Sequence, residues 1–472
     1  MLQTVPDHIY RGYDLRGLVG SELNNDTVSL LAKGYATWLL KRKIYDCVIG
    51  YDCRNSSPEF RDIFVKDLTE SGITVFDIGM TLSQICYFAC YYFRTRGMVM
   101  ITASHNPKEY NGFKFGTGYS ETMLTEEVVE FKNLVKSGKF NQRKPKGKYI
   151  KKDIKNEYID DLMRRVEPIK KFKVVVDSCN GSTGPYLPDI LRKVGCEVIE
   201  QNTKPDGNFP SGTPDPTEKD VQERLAKRVV IEKADIGFSY DTDGDRIGVV
   251  DNLGNLIWND TLVALYAKDI LNSLPGSKIV FNTLCSKQVD DVIKANNGIP
   301  VMWKTGHSFI KAKVREERAP FGGELSGHIY FVDNFYGHDD GAIASLRLLA
   351  YLTKVNKSLN QVVAELPHYI SSPEIKVGCS DNIKFEVVSK KIGSEIKKLY
   401  PSAKYTEIDG VRMDTKDEML IVRASQNGPY LTVKFEGKTQ ETYDNLKKQI
   451  NNILHTFKEI DFNSGVNTSA LD

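Results

Sequence analysis

Hydrophobic and polar positions along the chain repeat one arrangement three times. An apolar run ends in a polar loop, an amphipathic stretch follows, then a glycine, then a second apolar run. The first copy runs from C-V-I-G-Y-D through residues 59–70 and Gly72 to I-T-V-F-D-I. The second runs from K-V-V-V-D-S through residues 186–193 and Gly195 to C-E-V-I-E. The third runs from K-I-V-F-N-T through residues 287–295 and Gly298 to I-P-V-M-W. Each copy predicts a strand, a crossover helix closed by a C-cap glycine, and a parallel strand. The three glycines lie more than a hundred residues apart, far beyond a solenoid period. The pattern therefore predicts three successive α/β domains of related build.

After Ser371 the pattern changes. Alternating runs (E-I-K-V, V-R-M-D, M-L-I-V-R, Y-L-T-V-K-F-E) surround helical stretches at 384–400 and 441–458. This predicts an α+β domain on an antiparallel sheet. The expected divisions are 1–148, 149–252, 253–369 and 370–472. The lysine-rich stretch 138–152 reads as a solvated connector, and D-N-L-G-N at 251–255 as a turn that hinges the second and third domains. The final N-S-G-V-N-T-S-A-L-D reads as a frayed tail.

Composition narrows the function. The 64 basic and 62 acidic residues give a net charge of +2, so no long-range field draws nucleic acid or an anionic membrane. No apolar run is long enough to span a bilayer, and the N-terminal residues carry no secretory pattern. The eight cysteines (47, 53, 86, 90, 179, 196, 285 and 379) form no C-x-x-C pair, which predicts free thiols and a reducing cytoplasm.

Four polar stretches carry candidate chemistry. T-A-S-H-N-P, residues 102–107, puts Ser104 on a turn directly after an apolar run, with Lys114 in the following Y-N-G-F-K. Alone this is a turn former; a nearby cation lets the serine be read as a nucleophile. D-T-D-G-D-R sets Asp241, Asp243 and Asp245 at alternate positions, followed by Arg246. Each carboxylate raises the cost of ionising the next, and a divalent cation removes that cost. Three hard oxygen donors suit Mg²⁺ with open positions for phosphate. An EF-hand is excluded by register, because Gly244 stands fourth rather than sixth. G-G-E-L-S-G-H, residues 322–328, offers Glu324 and Ser326 for sugar hydroxyls and His328 for proton transfer. R-A-S-Q-N-G-P-Y, residues 423–430, resembles a phosphate cradle, though hairpin turns share that composition.

Taken together, these motifs with R-G-Y-D-L-R-G at 11–17 and P-D-G-N-F-P at 205–210 closely resemble the α-D-phosphohexomutase family, through all four domains. Within it the chain looks most like the bacterial phosphomannomutase/phosphoglucomutases. The resemblance implies three related α/β domains and a C-terminal α+β domain around a central cleft. It implies a phosphoserine at Ser104, Mg²⁺ held by Asp241, Asp243, Asp245 and a Ser104 phosphate oxygen, and Arg16, Lys114, Arg246 and His328 as catalytic groups. Tyr13, His307, Glu324, Ser326, Arg423, Ser425, Gln426 and Asn427 are implied to bind substrate. The implied partners are sugar phosphates, with a hexose 1,6-bisphosphate as intermediate and activator, and the implied assembly is a monomer or a weak homo-oligomer. There are departures. T-L-S-Q at 81–84 replaces the usual P-T-P turn, Leu284 stands where a basic residue occurs in similar enzymes, and Gly428 replaces a hydroxyl residue. Leu325 stands where phosphoglucosamine mutases typically have glutamine, which sets that alternative lower. The rival classes are a metal-dependent sugar phosphatase and a non-catalytic sugar-phosphate sensor. The haloacid-type D-x-D-x-T pattern is not met, since its fifth position is Asp245, and the complete set of reactive residues argues against a sensor.

Overall fold

The computed structural model describes residues 4–426 and 428–472. The chain folds as two compact units. One comprises the residues up to Asn259 together with Val314–Glu316 and Ser326–Ala364; the other comprises Asp260–Lys313, Glu317–Leu325 and Glu365–Asp472.

The first unit contains two sheets. In the first, the strand order is Leu15–Leu18, Tyr110–Gly118, Met98–Ile101, Asp46–Tyr51, Thr74–Met80, Tyr149–Lys151. The middle of this sheet is the first predicted crossover: Asp46–Tyr51 pairs in parallel with Thr74–Met80, and helix Ser57–Glu70 joins them. Its core packs Trp38, Tyr35, Phe60, Phe64, Phe113 and Phe115 at or near full burial. The second sheet orders Leu256–Ile257, Ile247–Asp251, Ile236–Tyr240, Lys173–Asp177, Glu197–Gln201, and the last two are the second parallel pair. The central strands Ile236–Tyr240 and Ile247–Asp251 are buried at every position.

In the second unit, Lys278–Asn282 pairs in parallel with both Ile299–Trp303 and Phe321–Gly323. The C-terminal sheet is antiparallel, with Glu418–Ala424 and Tyr430–Gly437 at its centre. Its inward face, Val411, Met413, Leu420, Val422, Leu431 and Val433, packs with Leu446, Ile450 and Leu454 of helix Gln440–His455.

Four expectations are corrected here. The last residues are not frayed: Asp461–Val466 pairs with Ile375–Gly378, and Leu471 is buried. The strand is polar in sequence because it is a mostly exposed edge, so alternation could not reveal it. The lysine-rich stretch is more than a connector, since Tyr149–Lys151 adds to the first sheet beside Thr74–Met80. The 251–255 turn closes a hairpin within the second sheet rather than hinging two domains, with Asp251 accepting from the Leu253 and Asn255 amides. At the third crossover the left-handed residue is Asn297 (φ 58°), not Gly298. Gly298 is there for space: a Cβ would lie 2.5 Å from Leu271 Cδ1 and 2.8 Å from Ile293 Cγ2. All eight cysteines are free. Among the described residues no helix is long and apolar enough to cross a membrane.

Candidate active site

Two turns of the first unit meet at Ser104. The first follows strand Met98–Ile101. There Ser104 takes a left-handed backbone (φ 50°), its amide donating to Thr102 Oγ1 at 2.8 Å. The second is the hairpin D-T-D-G-D-R, closed between the antiparallel strands Ile236–Tyr240 and Ile247–Asp251. Asp241 Oδ1 accepts from the Gly244 and Arg246 amides and so fixes this turn. Ser104 Oγ donates to Asp241 Oδ2 at 2.6 Å and lies 3.1 Å from His105 Nδ1. All of these carboxylates and Ser104 are buried.

Lys114 projects from strand Tyr110–Gly118, opposite Met100. Its Nζ donates to Asp243 Oδ2 at 2.7 Å, to Asp245 Oδ2, and to Ser83 Oγ at 3.1 Å. Ser83 in turn donates from Oγ to Asp243 Oδ2 (2.5 Å) and from its amide to Asp243 O (2.9 Å). Arg16, on the neighbouring strand Leu15–Leu18, is aimed by Asp14 and donates to Asn106 Oδ1 at 2.8 Å. Arg246 Nε donates to His328 Nε2 at 3.0 Å, and His328 Nδ1 is 2.8 Å from Asp339 Oδ2. Nε2 therefore accepts, and Nδ1 faces the Asp339 carboxylate. Gly327, just before, is required by its φ of 93° and by its contact with the second sheet, where a Cβ would lie 2.6 Å from Ile247 O.

The electrostatics follow from burial of like charges. Burial pushes the Asp241 carboxyl well above its ordinary value, and the negative charges of Asp243 and Asp245 push it further. Burial also pushes Asp243 up, but the Lys114 ammonium with the Lys114 and Ser83 hydrogen bonds reverses this and holds it below. Asp245 is raised by burial and by Asp243. Lys114, which burial alone would lower, is held well above its ordinary value by Asp243 and Asp245. The donor set fits a hard divalent cation. Oxygens of Asp241, Asp243 and Asp245 lie within 4.8 Å of one another, and Asp243 Oδ1 and Asp245 Oδ1 are buried without a hydrogen-bond partner.

The remaining predicted residues are placed as follows. Tyr13 is buried and Ser326 half-buried, both in the first unit. In the second unit Glu324 is buried and accepts from the Gly306 amide at 2.9 Å, next to His307, which opens a helix. Arg423, at the end of strand Glu418–Ala424, gives Nε–H to Asp409 Oδ2 at 2.9 Å. That carboxylate also takes the Thr305 amide and the Thr283 hydroxyl, so Arg423 is held by three segments. Ser425 is buried and Gln426 half-buried. Asn427 lies outside the described residues. Lys384 Nζ spans this loop, donating to Ser425 O (2.6 Å) and Gly428 O (2.9 Å).

Sequence reasoning missed Ser83, Asp339, Asp409 and Lys384. Ser83 stands in T-L-S-Q, noted only as a departure. Asp339 stands in G-H-D-D-G, eleven residues after His328, where nothing in the pattern ties the two.

Three family models match successive stretches of the chain between residues 7 and 369. They are the phosphoglucomutase/phosphomannomutase α/β/α domains I, II and III, matched over residues 7–142, 156–254 and 258–369. A phosphomannomutase/phosphoglucomutase of Pseudomonas syringae pv. tomato is 35% identical over 443 residues, covering 94% of each chain. A phosphoglucomutase of Neisseria gonorrhoeae is 32% identical over 455 residues, covering 96% of this chain and 98% of that one. A crystal structure of a phosphoglucomutase/phosphomannomutase family protein from Burkholderia thailandensis superposes with a TM-score of 0.88 at 29% identity, covering 96% of this chain and 98% of that one.

Proposed function

The chain belongs to the phosphoglucomutase/phosphomannomutase family, and from that membership we propose that it is a hexose-phosphate mutase whose phosphoryl carrier is Ser104. The substrates are the 1- and 6-phosphates of mannose and glucose, the sugars for which its relatives are named. The observation that carries the reading is Ser104 Oγ on a left-handed turn, bonded at 2.6 Å to Asp241 of the acidic hairpin whose other two aspartates hold the buried Lys114 ammonium.

In the reaction the phosphoryl group on Ser104 passes to the free hydroxyl of a hexose monophosphate, giving the 1,6-bisphosphate. The bisphosphate then presents its other phosphate, and Ser104 takes that group back. An N-acetylphosphoglucosamine mutase of Aspergillus fumigatus, alike in fold, has been solved with glucose 1,6-bisphosphate, which supports that intermediate. Asp241, Asp243 and Asp245 would hold Mg²⁺, which when bound supplies positive charge against the phosphoryl oxygens. Lys114, fixed as an ammonium by two aspartates, adds charge at the same place. Arg16 and Arg246 flank the transferred group, each oriented by its own acceptor. His328, aligned by Asp339, moves the proton of the sugar hydroxyl. Glu324, Ser326, His307 and Tyr13 recognise the sugar, and Arg423, Ser425, Gln426 and Asn427 the non-reacting phosphate.

Mass spectrometry of the purified protein tests this. Phosphate on Ser104, transferred to excess glucose 1-phosphate and absent from Ser104→Ala, is the expected result. A Ser104→Ala protein with full mutase activity, or release of inorganic phosphate instead of isomerised product, overturns it.

A further inference from the structure

Behind the Ser104 turn lies an arginine that the mechanism does not use. Arg54 follows strand Asp46–Tyr51 and is 1% exposed. A guanidinium carries five N–H donors, and here all five are engaged. Nε donates to Asp52 Oδ2 at 3.1 Å. One terminal nitrogen donates to Pro107 O at 2.8 Å and Tyr110 O at 3.0 Å. The other donates to Ser104 O and Asn106 O, both at 2.7 Å. Four backbone carbonyls within seven residues, including that of Ser104 itself, thus converge on one side chain.

This arrangement is costly unless the turn is held for a reason. Burial pulls the Arg54 guanidinium down, and Asp52 beside it gives the largest compensation. Asp52 is itself fixed: its Oδ1 accepts from the Arg54 amide at 3.0 Å and from Ser57 Oγ at 2.7 Å. The Phe209 ring closes one side, 5.0 Å from the guanidinium carbon. No phosphate-type ligand can use the guanidinium, since every donor is taken by the protein. What those donors gain is a fixed turn. A serine at φ 50° has no regular strand or helix to define where its Oγ points. The Arg54 bonds define it, from the Ser104 carbonyl on through Asn106, the residue that also receives Arg16.

We propose that Arg54 is the positioning residue of the phosphoryl-carrying turn: it locks the backbone of residues 104–110 so that Ser104 Oγ stays in line for transfer. Its contribution is to the rate of the transfer step and not to sugar-phosphate affinity, because its guanidinium donates to carbonyls and Asp52 only. The inference rests on the reading of Ser104 as the phosphoryl carrier.

Arg54→Lys tests it. One ammonium offers three donors from a single point and cannot reach four carbonyls and a carboxylate. The readouts are the melting temperature, the affinity for glucose 1-phosphate by titration calorimetry, and the single-turnover rate of phosphoryl transfer to Ser104 from glucose 1,6-bisphosphate. The expected result is a folded protein with affinity unchanged within about twofold and a transfer rate lowered at least about tenfold, since small misplacements of a reacting atom cost rate steeply. Equal transfer rates, or rate and affinity falling together, overturn the proposal. Asp52→Asn, which keeps all five donors and weakens only their anchor, is the second variant. It is expected to lower the transfer rate about threefold or more at unchanged affinity, and it decides the matter if Arg54→Lys does not fold. If neither folds, Arg54 is a core residue and the proposal fails. A parent protein that takes up no phosphate on Ser104 from glucose 1,6-bisphosphate would instead remove the mutase reading, whatever the variants do.

Discussion

Replacing Lys114 by glutamine measures how strongly the acidic hairpin depends on one charge. The Lys114 ammonium is buried, 2.7 Å from Asp243 Oδ2 and bonded also to Asp245 Oδ2. Glutamine keeps a donor and removes the charge, leaving buried carboxylates facing one another. Removing one partner of a buried pair costs about 3–5 kcal/mol. At roughly 2–3 °C per kcal/mol for a unit of this size, Tm falls by roughly 6–15 °C. The pH dependence has a definite sign. In the parent, Asp243 is held below its ordinary value, so its contribution is complete at neutral pH and is lost only as pH falls through the depressed value. In the variant the ammonium no longer opposes burial and only hydrogen bonds such as that from Ser83 remain, so Asp243 rises, the folded state binds the extra proton, and the deficit grows as pH rises. Thermal melts followed by circular dichroism at about pH 5.5 and about pH 8, with and without millimolar Mg²⁺, check this. The deficit is expected to be larger at the higher pH and smaller with Mg²⁺, because binding to the folded state alone stabilises it. Transfer activity falls about 10²-fold or more with the loss of a preorganised cation. A Tm within about 2 °C of the parent at the higher pH, or a deficit that grows in acid, would refute the reasoning.

Two further outcomes follow from burial elsewhere. Burial pushes Asp340 up to about 7, although the Tyr158 hydroxyl and the Ile343 and Ala342 amides favour its charged form. The folded state then holds a proton that the unfolded chain releases near pH 4, so stability falls as pH rises from about 4 to about 7. Asp340→Asn keeps the helix cap and removes that slope; urea titrations at either end of the range will show it, and an unchanged slope would dismiss Asp340 as its source. Gly298→Ala forces a methyl against Leu271 and Ile293, which overpacking data put at about 1–3 kcal/mol, and a variant as stable as the parent in urea would show that Leu271 simply turns away.

Much of this molecule is local information. The three strand–helix–strand units follow from apolar runs of strand length, amphipathic spacing and stop residues, and all three parallel pairs form where that pattern puts them. D-T-D-G-D-R reads as a candidate cation site by itself, since neighbouring carboxylates raise one another's cost of ionising. What the pattern could not hold is any edge or partner whose stability comes from elsewhere. The polar strand Asp461–Val466 exists because Ile375–Gly378 offers it a ladder. At the third crossover Asn297 is the left-handed residue, and Gly298 is required by the space that Leu271 takes. Ser83, Asp339 and Arg54 join the site across 160, eleven and fifty residues of chain, respectively, and no local spacing encodes such contacts. Sequence alone determined which residues are candidates for the chemistry, because reactivity is a property of side-chain type and close neighbours. Tertiary structure decided which of them are charged, aimed and held, because burial and long-range hydrogen bonds exist only once the chain has folded.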